Sequence, residues 1–424
     1  MKKIILLFIL TTTIATAQKS TLISNATLHI GNDSVIVNSF VGIKEGKIVL
    51  VADATTAKID ASAYEIKIEA SGKHLYPGII APNSTLGLRE ADAVRASNDY
   101  DEVSGILPNI RAAIAYNTDS KIIPTIRSNG ILLAQITPRG GLVSGTSSIV
   151  KLDGWNWEDA LYKVDDGVHI NWPRMMTRKY DEDGGLITTE KNKNYDKQTN
   201  DLIKLFADAK AYNSSANSEK NIRFEAMNGL FDGTKNLFIH ADNIKEITES
   251  IIAFKKAGIT KIILVGGKDS WLITDFLKEN NIPVIVSKVH DLPERAEEDV
   301  DLPYKLPYLL NKAGILFCLN NEGGMEAMGA RNIPFLAGTA AAYGLTKEQA
   351  LKSITLNTAK ILGIDKTTGS IEVGKDATLF ISTGDALDMK SNNVEKAFIN
   401  GKEIDLNNSQ KELYEKYKAK YELK

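Results

Sequence analysis

Chemistry at neutral pH draws mostly on imidazole, thiolate, carboxylate and guanidinium groups, so the scarcest of these are informative first. The 424-residue chain has five histidines and one cysteine. Cys318 lies inside the apolar run GILFCL, where a small buried residue is expected, and a lone thiol excludes an intramolecular disulfide. His29 and His74 sit in short alternating segments and read as structural. His240 ends the apolar run of LFIHAD, and His290 follows another in VSKVHDLPER, beside Asp291 and Arg295, which makes it a pocket residue. Arg139, next to Gly140-Gly141 and close to Gly145, can hold a carboxylate through two N–H groups while the glycines let backbone approach a ligand. Turn geometry and surface charge account for the same residues equally simply. No Gly-x-Ser-x-Gly elbow is present, and VGGK at 265–268 lacks the rest of a phosphate-binding loop.

These side chains need a frame. From Thr21 to about Ile68 short alternating runs (LISNATLHI, VIVNSFVGI, KIVLVA, YEIKIEA) are punctuated by Gly31-Asn32-Asp33 and Glu45-Gly46-Lys47, an antiparallel β pattern. The same texture returns in GSIEVGKDATLFIS and VEKAFINGKEI. Between them apolar strands alternate with amphipathic helices: strands at 131–137, 237–240, 261–265, 283–289 and 315–319, helices at 244–257 and 271–279. Thr346-Lys-Glu-Gln349 is a capping box opening a helix to about Leu362, and Ser409-Gln-Lys-Glu412 opens a second at the C-terminal end. About eight strands from Tyr76 onward predict an α/β fold, a (β/α)₈ TIM-like barrel, with a small β-sandwich built from both chain ends. A doubly wound sheet is the alternative. The expected boundaries are 1–17 for a signal peptide, 18–76 plus 370–405 for the sandwich, 77–369 for the barrel and 406–424 for a C-terminal helix. The polar stretch from Asp181 to about Asn221 reads as a solvated excursion or as a lid over the barrel.

Composition narrows the partners. A formal charge of -2, 43% hydrophobic and 25% charged residues suit a globular protein and give no reason to expect nucleic acid or an anionic membrane. Lys2-Lys3, the apolar run to Leu10 and Ala15-Thr16-Ala17 form a secretory signal pattern, so a periplasmic or secreted location is expected.

Four segments carry a resemblance: KEGKIVLVA, GKHLYPGIIAPNSTLGL, NIPFLAGTAAAYGLTKEQALKSITLNTAKILGID and GSIEVGKDATLFISTGDAL. Together they resemble an imidazolonepropionase-like member of the amidohydrolase superfamily, over nearly the whole chain after the signal segment. The resemblance implies metal-assisted hydrolysis of C–N bonds at the C-terminal mouth of the barrel. It also implies ligands at set places, and most are replaced. The His-x-His of strand one falls on Asn83 and Thr85, an amide and a hydroxyl. His169 stands near the bridging-lysine position of strand four, with Lys151 the other candidate. His240 occupies the histidine position of strand five, while Val265 and Gly266 stand where strand six would supply another. The catalytic aspartate of strand eight aligns with Asn320-Asn321-Glu322.

Two readings follow. In one, His240 and His169 hold a divalent metal such as zinc, with Glu322 as the catalytic carboxylate; Asn83, Thr85, Arg139, His290 and Asn321 line a pocket for an amide or dipeptide-like substrate. In the other, the chain is a metal-free pseudoenzyme, a periplasmic binding protein or the partner of an intact amidohydrolase paralogue. His240 is then a hydrogen-bonded core histidine, and Glu322 is held at the mouth by Arg89 or Arg331, or by Asn83 and Asn321. A homo-oligomer is compatible with either.

Overall fold

The computed structural model describes residues 19–180, 186–214 and 219–422; the signal peptide expected at 1–17 lies outside them. Two large sheets organise the chain. One is hydrogen-bonded from both chain ends: Thr21–His29, Val35–Lys44, Lys47–Asp53, Ile66–Glu69 and His74–Pro77 are joined by Leu379–Ser382, Val394–Ile399 and Lys402–Glu403. Its alternating residues Ile23, Leu28, Val41, Ile43, Leu75, Leu379 and Phe398 bury a small separate core. Leu379–Ser382 pairs antiparallel with His74–Pro77, so the last third of the chain is stitched to the strand that leads into the barrel.

The second sheet is the barrel. Its strands are β1 (Ile79–Ser84), β2 (Ile131–Ile136), β3 (Val143–Lys151), β4 (Leu161–Asn171), β5 (Asn236–Ala241), β6 (Ile262–Gly266), β7 (Val284–Val286) and β8 (Phe317–Leu319). They are hydrogen-bonded in that order, and Asn320 Nδ2 reaches the Asn83 carbonyl at 3.5 Å to bring the two edges together. The eight-stranded barrel expected from sequence is present, with one strand reversed. β3 runs antiparallel to both β2 and β4. The parallel pairs are buried on both faces, as such strands require: Ile80, Leu133, Phe238, Ile263, Val265, Ile285 and Cys318 fill the interior, while Ile79, Leu132, Leu237, Leu264 and Val284 face the surrounding helices.

The Thr346 capping box forms, but the helix it opens stops at Ser353, and Leu356–Leu362 continues as a separate helix across the foot of the barrel. At the C-terminal helix the cap is Asn408, one residue before the expected Ser409; its side chain accepts the Lys411 N–H. Of the polar stretch expected as an excursion or lid, residues 181–185 and 215–218 lie outside the described residues, and the rest is regular. Met176–Tyr180 and Leu186–Lys191 form a hairpin, and Tyr195–Asn213 is a helix that buries Leu202, Phe206 and Ala209, an i, i+4, i+7 stripe.

Candidate functional site

β1, β4, β5 and β8 all end at one mouth, and their last residues carry the polar side chains. Asn83 sits at the end of β1 with φ of +46°, a left-handed conformation that asparagine tolerates better than most residues. That conformation turns its amide across the barrel. Arg139, just past β2, grips it from the other side: Nη1 donates to Asn83 Oδ1 at 2.9 Å and Nη2 to the Asn83 carbonyl at 2.8 Å. Nη2 also pairs with Glu326 Oε1 at 3.0 Å. Asn83 Nδ2 donates in turn to Glu322 Oε2 at 3.3 Å. Glu322 therefore answers to Asn83 rather than to Arg89, which pairs with Asp92.

Below this layer a hydrogen-bonded chain crosses the barrel interior. His169 Nδ1 is 3.0 Å from His240 Nε2, and His169 Nε2 is 3.0 Å from Ser147 Oγ. Ser147 Oγ donates to Asp166 Oδ1 at 2.7 Å, and Gln135 Nε2 donates to Asp166 Oδ2 at 2.8 Å. Gln135 Oε1 accepts the Asn83 backbone N–H at 3.0 Å, tying the chain back to β1. His169 also stacks on Phe238, ring centroids 4.3 Å apart. Burial, then the neighbouring His240 and Arg139, hold the His169 pKa well below its usual value. Burial and then Arg139 lower that of His240 to about 3. Both rings are neutral at pH 7.

Neutrality fixes the proton positions when Asp166 is ionised. The carboxylate only accepts, so Ser147 gives it its one hydroxyl proton. His169 Nε2 must then be the N–H donor to Ser147 Oγ, which leaves His169 Nδ1 as an acceptor and makes His240 Nε2 the donor to it. His240 Nδ1 is left as a bare lone pair. Burial raises the Asp166 pKa to about 6.

This arrangement does not fit a metal. Both His169 nitrogens are spent on protein partners, and so is the one His240 nitrogen that faces them. The amide and hydroxyl of Asn83 and Thr85 are weak donors for a transition metal. Arg139 brings a fixed positive charge to the layer where a second cation would have to sit. Among the described residues no three His, Cys, Asp or Glu side chains converge as a ligand set.

The remaining candidates divide. Thr85 is buried at the end of β1, its Oγ1 without a partner. Asn321 is half-buried beside Gly329. His290 is not at this mouth: its Nε2 bonds Thr339 Oγ1 at 2.6 Å and it faces a different cleft, lined by Lys347, Asp385 and Met389. Lys151 is excluded by the reversal of β3, which carries it to the opposite end, across from Leu133 near the start of β2. The glycines near Arg139 serve packing. A Cβ on Gly140 would strike the Asp101 carboxylate, and one on Gly141 would lie 2.7 Å from the Gly105 carbonyl.

Sequence reasoning passed over Asp166 and Asp242. Asp166 follows another aspartate in a strand and reads as a surface charge; its position three residues before His169 is the one available hint. Asp242 stands two residues after His240, beyond the strand end. It lines a mouth cleft of ≈ 90 Å³ together with Asn171, Arg174, His240, Glu246 and Glu322. Burial raises its pKa to about 6, against the nearby Lys268.

Known proteins point the same way as the fold. The amidohydrolase family model matches residues 305–404. No curated protein sequence matches. An amidohydrolase from Thermotoga maritima superposes with a TM-score of 0.77 at 23% identity, covering 91% of this chain and 99% of its own. A prolidase complexed with N-methylphosphonate-L-proline gives 0.56 at 14% identity, over 91% and 99%. A Xaa-Pro dipeptidase with bound methionine in the active site gives 0.57 at 14%, over 91% and 100%. The chain has the fold of the amidohydrolase superfamily and carries the amidohydrolase family's own sequence pattern in residues 305–404.

Proposed function

We propose that this chain is a metal-free small-molecule-binding protein built on a hydrolase barrel, exported by its N-terminal signal segment to the periplasm or beyond. The observation that carries the proposal is the direct His169–His240 hydrogen bond, which together with the Ser147 contact engages both His169 nitrogens and leaves the pair a single free lone pair, on His240. Arg139, bonded to Asn83 and paired with Glu326, supports it by putting an internal cation at the mouth. The ligand class we propose is a small amide or dipeptide-like molecule, in keeping with the ligands named for the prolidase and Xaa-Pro dipeptidase structures of the same fold. Pairing with an intact amidohydrolase is part of the same reading.

A second reading, hydrolysis of C–N bonds, draws on the uncommitted lone pair of His240 next to the Asp242 carboxyl in one cleft. It requires His240 to act as a base without a metal, or His169 to surrender one of its two bonds to a metal. Elemental analysis of protein purified without chelator, then loaded with zinc and with manganese, separates the readings. Sub-stoichiometric metal in every sample is the expected result. Near-stoichiometric metal that vanishes in His240→Ala would overturn the binding-protein reading.

A further inference from the structure

Asp242 is the most conspicuous side chain at the mouth that nothing in the fold explains. It stands just past β5, half-buried, with Oδ1 packed against Gly266, whose φ of +99° and missing Cβ leave room for it. Oδ1 is buried without a hydrogen-bond partner, and among the described residues neither oxygen receives a hydrogen bond or forms an ion pair. A carboxylate oxygen that is buried without a partner costs free energy until something satisfies it, and most buried polar groups find partners. Lys268, the nearest lysine to act on it, is committed elsewhere, to Asp291 and Glu294.

Three neighbours of Asp242 in this cleft, Glu322, His240 and Glu246, also bring acceptors. Glu322 uses one oxygen on Asn83 and keeps the second. His240 spends Nε2 on His169, which leaves the Nδ1 lone pair. Glu246 is already engaged: Oε1 accepts the Met175 N–H and Oε2 the Asn243 amide. The vacant functions of the cleft are thus two carboxylates and an imidazole lone pair, with Arg174 as the cation on its wall. Acceptors of this kind call for a donor with several N–H bonds and a positive charge, which is a primary ammonium group.

We infer that Asp242 is the ammonium-binding residue of this cleft, with Glu322 and His240 as accessory acceptors and Arg174 facing the anionic end of the ligand. The inference rests on the binding-protein reading and sharpens it: the ligand is a small zwitterion whose free amino group is obligatory.

Isothermal titration with leucyl-glycine, its N-acetyl derivative and its C-terminal amide tests this on the full chain and on Asp242→Asn and Asp242→Ala. The expected result is binding of the free dipeptide, loss of at least tenfold on N-acetylation, a smaller loss on amidation, and a comparable tenfold loss in Asp242→Asn, whose shape is retained. Circular dichroism and melting of each variant verify that it is folded. Equal binding of the free and N-acetylated forms, or wild-type affinity in both Asp242 variants, overturns the assignment while leaving a metal-free binding cleft standing. No binding of any of the three compounds also overturns it, and the metal content described above then decides the broader reading separately.

Discussion

His169 Nδ1 lies 3.0 Å from His240 Nε2, so the two histidines of the barrel interior are bonded to each other. Zinc has to displace a protein partner before it can bind both rings, since both His169 nitrogens are engaged and His240 Nδ1 is a single donor where zinc takes three or four. We therefore expect zinc or manganese at tenfold excess to leave the melting temperature of the wild type within about 1 °C of the metal-free control, since a ligand that does not bind the native state cannot stabilise it. His240→Ala should cost about 2–3 kcal/mol in urea unfolding at pH 7, because His169 Nδ1 is left unsatisfied in the interior. That cost should be the same with zinc present. A metal-dependent rise in wild-type stability that disappears in His240→Ala contradicts the prediction.

Arg139 and Glu326 form a second coupled pair at 3.0 Å, with Glu326 nearly inaccessible. Arg139→Met removes its contacts to Asn83, Thr137 and Glu326 at once and leaves that carboxylate buried alone. The expected loss is about 3 kcal/mol, the range for breaking one side of a buried pair. Adding Glu326→Gln should return a good part of it, since the stranded charge is gone. A double-mutant cycle by urea unfolding measures the coupling, and strictly additive losses would refute it.

Asp166 gives a pH signature of opposite sign to the histidines. Its folded-state pKa is raised from 3.8 to about 6, so the folded protein holds this proton more tightly than the unfolded chain. The stability it contributes is present in full below about pH 4 and is lost as pH rises through about 6, a swing of up to about 3 kcal/mol at 1.36 kcal/mol per unit. His240, lowered from 6.5 to about 3, works the other way and weakens the protein as pH falls. In the wild type the two partly offset. Asp166→Asn removes the carboxyl contribution, so this variant should lose more stability than the wild type between pH 7 and pH 4.5. Urea midpoints measured across that range test it; parallel curves would count against the assignment.

Gly141 has φ of +60° and faces the Gly105 carbonyl at a distance no Cβ tolerates. Gly141→Ala should destabilise by about 1–3 kcal/mol, through both the backbone conformation and the contact. Thermal unfolding is the measurement. A neutral result would mean that the 99–106 loop gives way, and that the glycine is free to serve a ligand after all.

The sequence disclosed those parts of the fold that follow regular chemistry. The strand at Thr21–His29 and the Thr346–Gln349 box each appear where the pattern put them, although a bulge at Asn25 breaks the strand's strict alternation. β3 was illegible for a physical reason. Its interior, Ser144-Gly145-Thr146-Ser147-Ser148, is buried but made of small polar residues and a glycine, a composition that belongs equally to a loop. Those hydroxyls are buried because they serve the network: Ser147 bridges Asp166 and His169, and Thr146 bonds the Pro108 carbonyl. The reversal of β3 hid Lys151 for the same reason. At the mouth, the residue types at Asn83 and Thr85 were readable as weak ligands, but not what replaced the strong ones. Arg139 is 56 positions from Asn83 in sequence, and no local pattern announces a contact made by tertiary packing alone.

The sheet made from both chain ends has a consequence for the order of assembly. His74–Pro77 leaves its edge open until Leu379–Ser382 is available to pair with it, some three hundred residues later. A chain emerging from the ribosome or a translocation pore therefore carries an unfinished sheet edge throughout synthesis of the barrel. That is the kind of exposed ladder that recruits wrong partners. The local β2–β3–β4 meander, in contrast, can close as soon as it appears. The barrel is thus threaded onto a clasp that snaps shut last, and any truncation before residue 382 leaves the opening strands without their seam.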